Sequence, residues 1–279
     1  AFQVLEEQEM LFKKVFRKSA VLRPLCREVA AKWPDFMTTI LPRMSTIFQL
    51  SAVRHIATGQ VIVVANTHLF FHPLARHVRL LQVACLLQLV QEMRERHREA
   101  NVGGLLPRCI VCGDFNTSPT SSVADLLKKG EIPSDHPDWE FHSRFAWRED
   151  EDGLADLGGE EDSCGQPMSD DGLDEDASAA FEPLPEANWQ PGAGVSLRNP
   201  AGPLLDAYAG SGLRFTNYVR GFNATLDYIM FGGDWRVARV MPGVSEDDLK
   251  PDGGLPSVLH PSDHLSIAAD LELVVPPGA

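Results

Sequence analysis

Short apolar runs separated by polar turns alternate along this chain with longer stretches of helical period. Residues 47–53 and 61–66 are β-rich and flank Ala57-Thr58-Gly59-Gln60, a pattern that predicts a hairpin. From about residue 74 to 100, Val78, Leu81, Cys85, Leu86, Leu89 and Met93 recur at helical spacing and Arg94 to Arg98 supply a solvated end. That predicts a long helix packed on a sheet. Ile110, Val111 and Cys112 form a buried-strand run that breaks at Gly113. Ser121 or Ser122 then caps a short helix over residues 123–129, and Gly130 stops it. Further strands are predicted at 204–208, 215–219, the end of 221–231, 235–241 and 265–275. Residues 1–48 read as helical and charged, with Ser19 as a cap, Pro24 in a first turn and Pro34 as a stop.

With 279 residues and 44% apolar content, one large domain, or one with an appendage, is expected. The chain starts at Ala1 without a signal-peptide pattern and reads as an excised piece. No window approaches 18 uncharged apolar residues, so no membrane-spanning helix is expected. Five scattered cysteines, an odd number, favour a reducing intracellular compartment. Cys109-x-x-Cys112 has no second Cys pair and sits in an apolar run, so core filling is its reading rather than redox or zinc chemistry.

The net charge of −14 argues against a nucleic-acid partner until its distribution is examined. Residues 149–195 hold 15 acids and no Lys or Arg, which leaves 24 acids against 25 bases elsewhere. This stretch (149–197 in its widest bounds), rich in Gly, Ser, Ala and Pro, is expected to be a solvated, disordered acidic insertion within the domain.

Candidate chemistry gathers at predicted strand ends. Asp114 and Asn116 follow the apolar run two residues apart. Because alternate strand side chains share a face, both can meet one phosphate, water or metal, although Asp and Asn are also ordinary turn formers. His68 closes the 61–66 strand, where ligands of α/β folds collect. Asp227 is an acid embedded in a strand and so needs a partner. Asp263 and His264 precede the last strand. Such a set suits attack of water on a phosphodiester assisted by a hard divalent cation.

Asn66-Thr67-His68-Leu69, Gly113-Asp114-Phe115-Asn116, Leu226-Asp227-Tyr228-Ile229 and Ser262-Asp263-His264, in that order and spacing, resemble the endonuclease/exonuclease/phosphatase superfamily. The likeness covers about residues 40–145 and 204–274. It is greatest to the branch that degrades 2′-5′-linked oligoadenylate and mitochondrial poly(A), relatives of the poly(A) deadenylases. The resemblance implies an α/β fold, a two-layer β-sandwich flanked by helices and incomplete on its amino-terminal side. The chain would then be the carboxy-terminal part of one catalytic domain. It also implies a phosphodiesterase and 3′-to-5′ exoribonuclease that uses Mg²⁺, or Mn²⁺ in its place, to release AMP from RNA in the mitochondrial matrix.

By the same resemblance, Asp114 is the acid/base beside the metal, and Asn116 holds phosphate and orders water. His68 contacts phosphate, while His264, oriented by Asp227, stabilises the pentavalent phosphorus. Metal ligands would be Asp114, Asn116 and Asp263. Pro73 and Phe222 would sandwich an adenine, with Asn217 touching the base. The family's principal Mg²⁺-binding glutamate has no counterpart here: Glu6, Glu7 and Glu9 read as solvated residues of a helical run, so this stretch alone should bind metal poorly. Competing readings are a general poly(A) deadenylase or nucleotide phosphatase, a non-catalytic RNA-binding scaffold, and a sphingomyelinase-like or inositol-phosphatase member.

Overall fold

The computed structural model describes residues 1–147 and 192–273; most of the expected acidic insertion lies outside them. Twelve strands are described: β1 (Phe2–Leu11), β2 (Ile47–His55), β3 (Val61–His68), β4 (Arg108–Asp114), β5 (Glu131–Ile132), β6 (Leu197–Arg198), β7 (Leu205–Asp206), β8 (Asn217–Val219), β9 (Phe222–Ala224), β10 (Asp227–Gly232), β11 (Trp235–Val240) and β12 (Ala269–Leu273). The main helices are α1 (Phe12–Lys18), α2 (Arg23–Lys32), α3 (Arg76–Arg96) and α4 (Ser122–Lys129). Six strands form one sheet in the order β1-β2-β3-β4-β10-β7. Only β3 and β4 run parallel, because α3 carries the chain between them; their neighbours pair antiparallel.

The expected hairpin forms as β2–β3. Ser121 caps α4 through a bond from the Ala124 N–H, and Gly130 ends it at φ 88°. Pro24 sits in the first turn of α2, but the cap position is Leu22, with no side-chain bond.

The amino terminus departs from expectation. Residues 2–11 form an edge strand, not a helix, paired with β2 along its length. A bulge between Val4 and Glu6 breaks the alternation of apolar and polar positions, which hides the strand in the sequence. Glu6 is consequently no solvated helix residue: it accepts bonds from Arg96 and from His97 Nε2 (2.7 Å) at the end of α3. Glu9 accepts from Gln49 Nε2 at 3.3 Å, while Glu7 is exposed. The final strand is also shorter than expected, Ala269–Leu273 among the described residues.

The principal core lies between one sheet face and the helices. α3 is buried on most of its circumference, including Val78, Leu81, Cys85, Leu86 and Leu89, because α1, α4 and the turn Pro137–Glu140 pack on it as well as the sheet. On the other face, Phe231, Ile110 and Ile229 meet Val237, Val240 and Leu271 of the antiparallel β11–β12 pair. That second layer makes the arrangement a two-layer α/β fold with flanking helices. Cys109 points into the first core and Cys112 to the opposite face, donating to Ala65 O at 3.4 Å. Two thiols on opposite faces of a strand cannot act as a pair. No helix among the described residues is long and apolar enough to cross a membrane.

His77 on α3 is 1% exposed, with both ring nitrogens lacking a hydrogen-bond partner among the described residues, between Trp33 and Phe145. Burial, helped by His142 and Arg79, lowers its pKa to about 3. Folded protein therefore keeps it neutral, while the unfolded chain takes up a proton below about pH 6.5. The stability it permits is complete above that pH and lost progressively as pH falls towards 3, by up to about 1.4 kcal/mol per unit. Between pH 7.5 and 5 the expected loss is about 2 kcal/mol in urea unfolding. His77→Leu should flatten that part of the pH dependence; an identical loss in the variant would assign it elsewhere.

Candidate active site

Three strands deliver the central groups by register. His68, the last residue of β3, lies opposite Asp114, the last of β4, and Asp114 lies opposite Asp227, the first of β10. Paired residues share a sheet face, so the three side chains form a row at one end of the sheet. Asp227 thus heads its strand instead of being embedded in it. His68 Nε2 is 3.4 Å from Asp114 Oδ2. His264 arrives from the loop before β12: its Nδ1 donates to Asp227 Oδ2 at 2.7 Å, and its Nε2 stands 3.8 Å from Asp114 Oδ2 and 3.9 Å from Asp263 Oδ2.

Asn116 joins the site by a route that strand alternation does not describe. The chain leaves β4 at Asp114, and Asn116 takes the left-handed φ of 47° that Asn tolerates. Its backbone N–H donates to Asp114 Oδ1 at 2.7 Å, and its side-chain amide donates to Leu69 O at 2.8 Å, tying the turn to the segment after His68. Asn217 opens β8, bridged to His264; its Nδ2 is 3.4 Å from Asp263 Oδ2 and its buried Oδ1 has no partner among the described residues. Pro73, beyond β3, and Phe222, at the start of β9, are both exposed, and no ring or hydrogen-bond contact joins them. Their use as a base clamp remains a proposal.

Burial pushes the Asp114 carboxyl up, and the charge of Asp227 adds to this, against the Asn116 N–H and the two histidines. The hydrogen bond to Asp227, then the charges of Asp227, Asp114 and Asp263, raise His264 above the ordinary histidine value. A half-buried carboxyl held up and an imidazole held towards its cation are the pattern of an acid–base pair. Asp114, Asp227 and His264 each offer an atom within 4.8 Å of the others. With His264 Nδ1 bonded to Asp227 and the ring held towards its cation, the donors left to a metal are the oxygens of Asp114 and Asp227, which fits a hard divalent cation that keeps several waters.

Three supporting residues were given no role from the sequence. Thr216, fully buried, accepts from the N–H groups of Leu226 (2.9 Å) and Asp227 (3.1 Å), and its carbonyl accepts from Leu265 N at 2.7 Å. One threonine therefore fixes the backbones that carry Asp227 and His264. Tyr228 donates to Thr117 O at 2.7 Å and stacks on Phe115 at 5.5 Å, bracing the turn after Asp114. Arg79, buried on α3, donates to the carbonyls of Phe70 (3.0 Å), His72 (2.6 Å) and Pro73 (3.4 Å) and fixes the loop after His68. A charge amid apolar α3 positions was the one available signal, since a buried arginine must find acceptors.

The chain belongs to the Endonuclease/Exonuclease/phosphatase family, whose model matches residues 72–264. It is 28% identical over 273 residues to 2′,5′-phosphodiesterase 12 of Rattus norvegicus and 27% identical to that of Homo sapiens, covering 97% of this chain and 36% of each relative. It thus spans about a third of the length of these curated relatives. It is also 27% identical over 239 residues to the CCR4-Not complex 3′-5′-exoribonuclease subunit Ccr4 of Yarrowia lipolytica, over 79% of this chain and 27% of that protein. The crystal structure of ANGEL2, a 2′,3′-cyclic phosphatase, in complex with adenosine-2′,3′-vanadate is alike in fold, with a TM-score of 0.60 at 21% identity over 98% of this chain and 68% of that one.

Proposed function

We propose that the protein is a divalent-metal-dependent phosphodiesterase, a 3′-to-5′ exoribonuclease that releases AMP from adenylate-rich RNA, including 2′-5′-linked oligoadenylate. The observation that carries this reading is the row His68–Asp114–Asp227 with His264 closed over it, Nδ1 on Asp227 and Nε2 facing Asp114. Asp114 takes the proton of the attacking water. The His264 imidazolium, held by Asp227, presents Nε2–H to the phosphoryl oxygens as charge builds, and exposed His68 meets them from the other side. A Mg²⁺ or Mn²⁺ ion, when bound by the oxygens of Asp114 with Asp263 and Asn116 alongside, supplies further charge stabilisation.

Assay of the full-length protein on 2′-5′ and 3′-5′ adenosine trimers, with Mg²⁺ and with chelator, tests the reading. AMP release that requires metal is expected. Hydrolysis of neither trimer makes the protein a non-catalytic member, and hydrolysis of phosphorylated head groups instead moves the substrate class. Phe222, 44% exposed, is proposed to stack on an adenine opposite Pro73. Stacking contributes roughly 1–3 kcal/mol per base, so Phe222→Ala should weaken adenylate binding by about tenfold and flatten base preference. Unchanged selectivity among homopolymers would remove the clamp. The mitochondrial matrix belongs to the same proposal and is checked by fractionating cells that express the tagged full-length protein.

A further inference from the structure

Six basic residues and no acid lie between Phe12 and Arg27: Lys13, Lys14, Arg17, Lys18, Arg23 and Arg27. All but Lys13 are exposed, and none makes an ion pair with a carboxylate among the described residues. Lys13 and Arg17 donate instead to the carbonyls of Pro42 (2.9 Å) and Met37 (2.5 Å), which leaves their charge uncompensated. The next acid along the chain, Glu28, is already beside Lys32 at 3.7 Å. In a chain whose net charge is −14, this concentration on α1 and the start of α2 is a local reversal of sign.

Its place in the fold gives the reversal meaning. Leu11 pairs with Ile47, Phe48 with Thr67, and the next residue of β3 is His68, so α1 leaves the sheet at the same end as the candidate site. Strands are about 4.8 Å apart, which puts β1 roughly 14 Å from β4. The two regions are rigidly linked. Phe12 N donates to Thr46 O, the Thr46 hydroxyl accepts from Gln82 Nε2, and Gln82 Oε1 accepts from the N–H of Phe70, two residues past His68. Trp147 stacks on Phe70 at 5.7 Å, and the Arg43 guanidinium lies 6.0 Å from the Trp147 ring centroid.

We propose that this basic face binds the phosphodiester backbone of the single-stranded RNA whose 3′ end occupies the site; the proposal rests on the exoribonuclease reading. A backbone running from His68 past Phe70 and Trp147 meets aromatic rings first and cations next, the combination that tracks single strands over about 4–16 nucleotides. A lipid surface suits the face poorly, because Phe12 and Phe16 of α1 are fully buried in the core and Val21 is the one exposed large apolar residue between Phe12 and Arg27, too little to insert.

Fluorescence anisotropy of the full chain with adenosine oligomers of three and about 20 nucleotides, between about 50 and 200 mM salt, tests the face without relying on catalysis. Lys14→Ala/Lys18→Ala/Arg23→Ala/Arg27→Ala should weaken binding of the longer oligomer by about tenfold or more. The slope of log affinity against log salt should fall by about 2–3, at roughly 0.7 per phosphate contact. Binding of the trimer should change by less than about twofold, as it ends short of α1. Should the quadruple variant melt early, Lys14→Gln/Lys18→Gln is expected to show about half the change in slope. An unchanged slope on the longer oligomer, or equal losses on both lengths, overturns the proposal. If neither oligomer is hydrolysed by the full-length protein, the exoribonuclease reading fails, while the slope still reports whether the face holds RNA.

Discussion

Asp114→Ala in the full-length protein is expected to lower turnover of adenosine oligomers by about 10²-fold or more, the usual contribution of one positioned acid or base. Asp114 lies within 4 Å of both candidate phosphate-handling histidines, at 3.4 Å from His68 and 3.8 Å from His264. Burial holds its carboxyl towards protonation, so it can receive the proton of a water. The alanine also strands the Asn116 N–H, which donates to Oδ1 at 2.7 Å, and some loosening of the turn follows. Asp114→Asn separates the two effects, since an amide oxygen still accepts that bond but takes no proton. Single-turnover rates with melting temperatures check the pair: the Asn variant should melt like the parent and be as slow as the alanine. An Asn variant that turns over at the parent rate would take Asp114 out of the chemistry.

Gly113→Ala is expected to cost about 3 kcal/mol or more and to disorder the site. Gly113 has φ 128°, and a Cβ there would stand 1.9 Å from the backbone oxygen of Thr67. Backbone strain of this kind costs about 1–3 kcal/mol, and the clash is with a ladder partner that cannot step aside, because Thr67 and Gly113 are in register on β3 and β4. Separating that pair moves His68 away from Asp114. Gly210→Ala is the control: φ there is 75° with nothing within 4 Å, so it should cost only about 1 kcal/mol. Urea midpoints of the two variants give the comparison. Similar losses would mean that the β3–β4 contact yields easily and the site is not held by it.

The motif glycine shows where the sequence ran short. Gly113 reads as the point where an apolar run ends, but the close approach of Thr67 O that excludes every other residue belongs to a strand 46 positions away in the chain. Residues 2–11 show the opposite failure. Their local pattern is charged and irregular, and they become a strand because β2 offers a full edge and a bulge absorbs the break in alternation. Pairing energy between distant segments overrides local preference there.

What the sequence by itself determined is the inventory and its order: His68, Asp114, Asn116 and His264 beside turn signals at strand ends, Asp227 as an acid within an apolar run, the β2–β3 hairpin, the long α3 and the α4 caps. These depend on neighbours within a few residues, where periodicity and turn chemistry act. Only the tertiary structure decided that Asp114 faces both histidines, that Asp227 engages His264 Nδ1, and that Thr216 and Arg79 hold the backbones beneath them. Strand register aligns His68, Asp114 and Asp227. Register is fixed by the burial of whole sheet faces, to which every strand contributes and which no single stretch encodes.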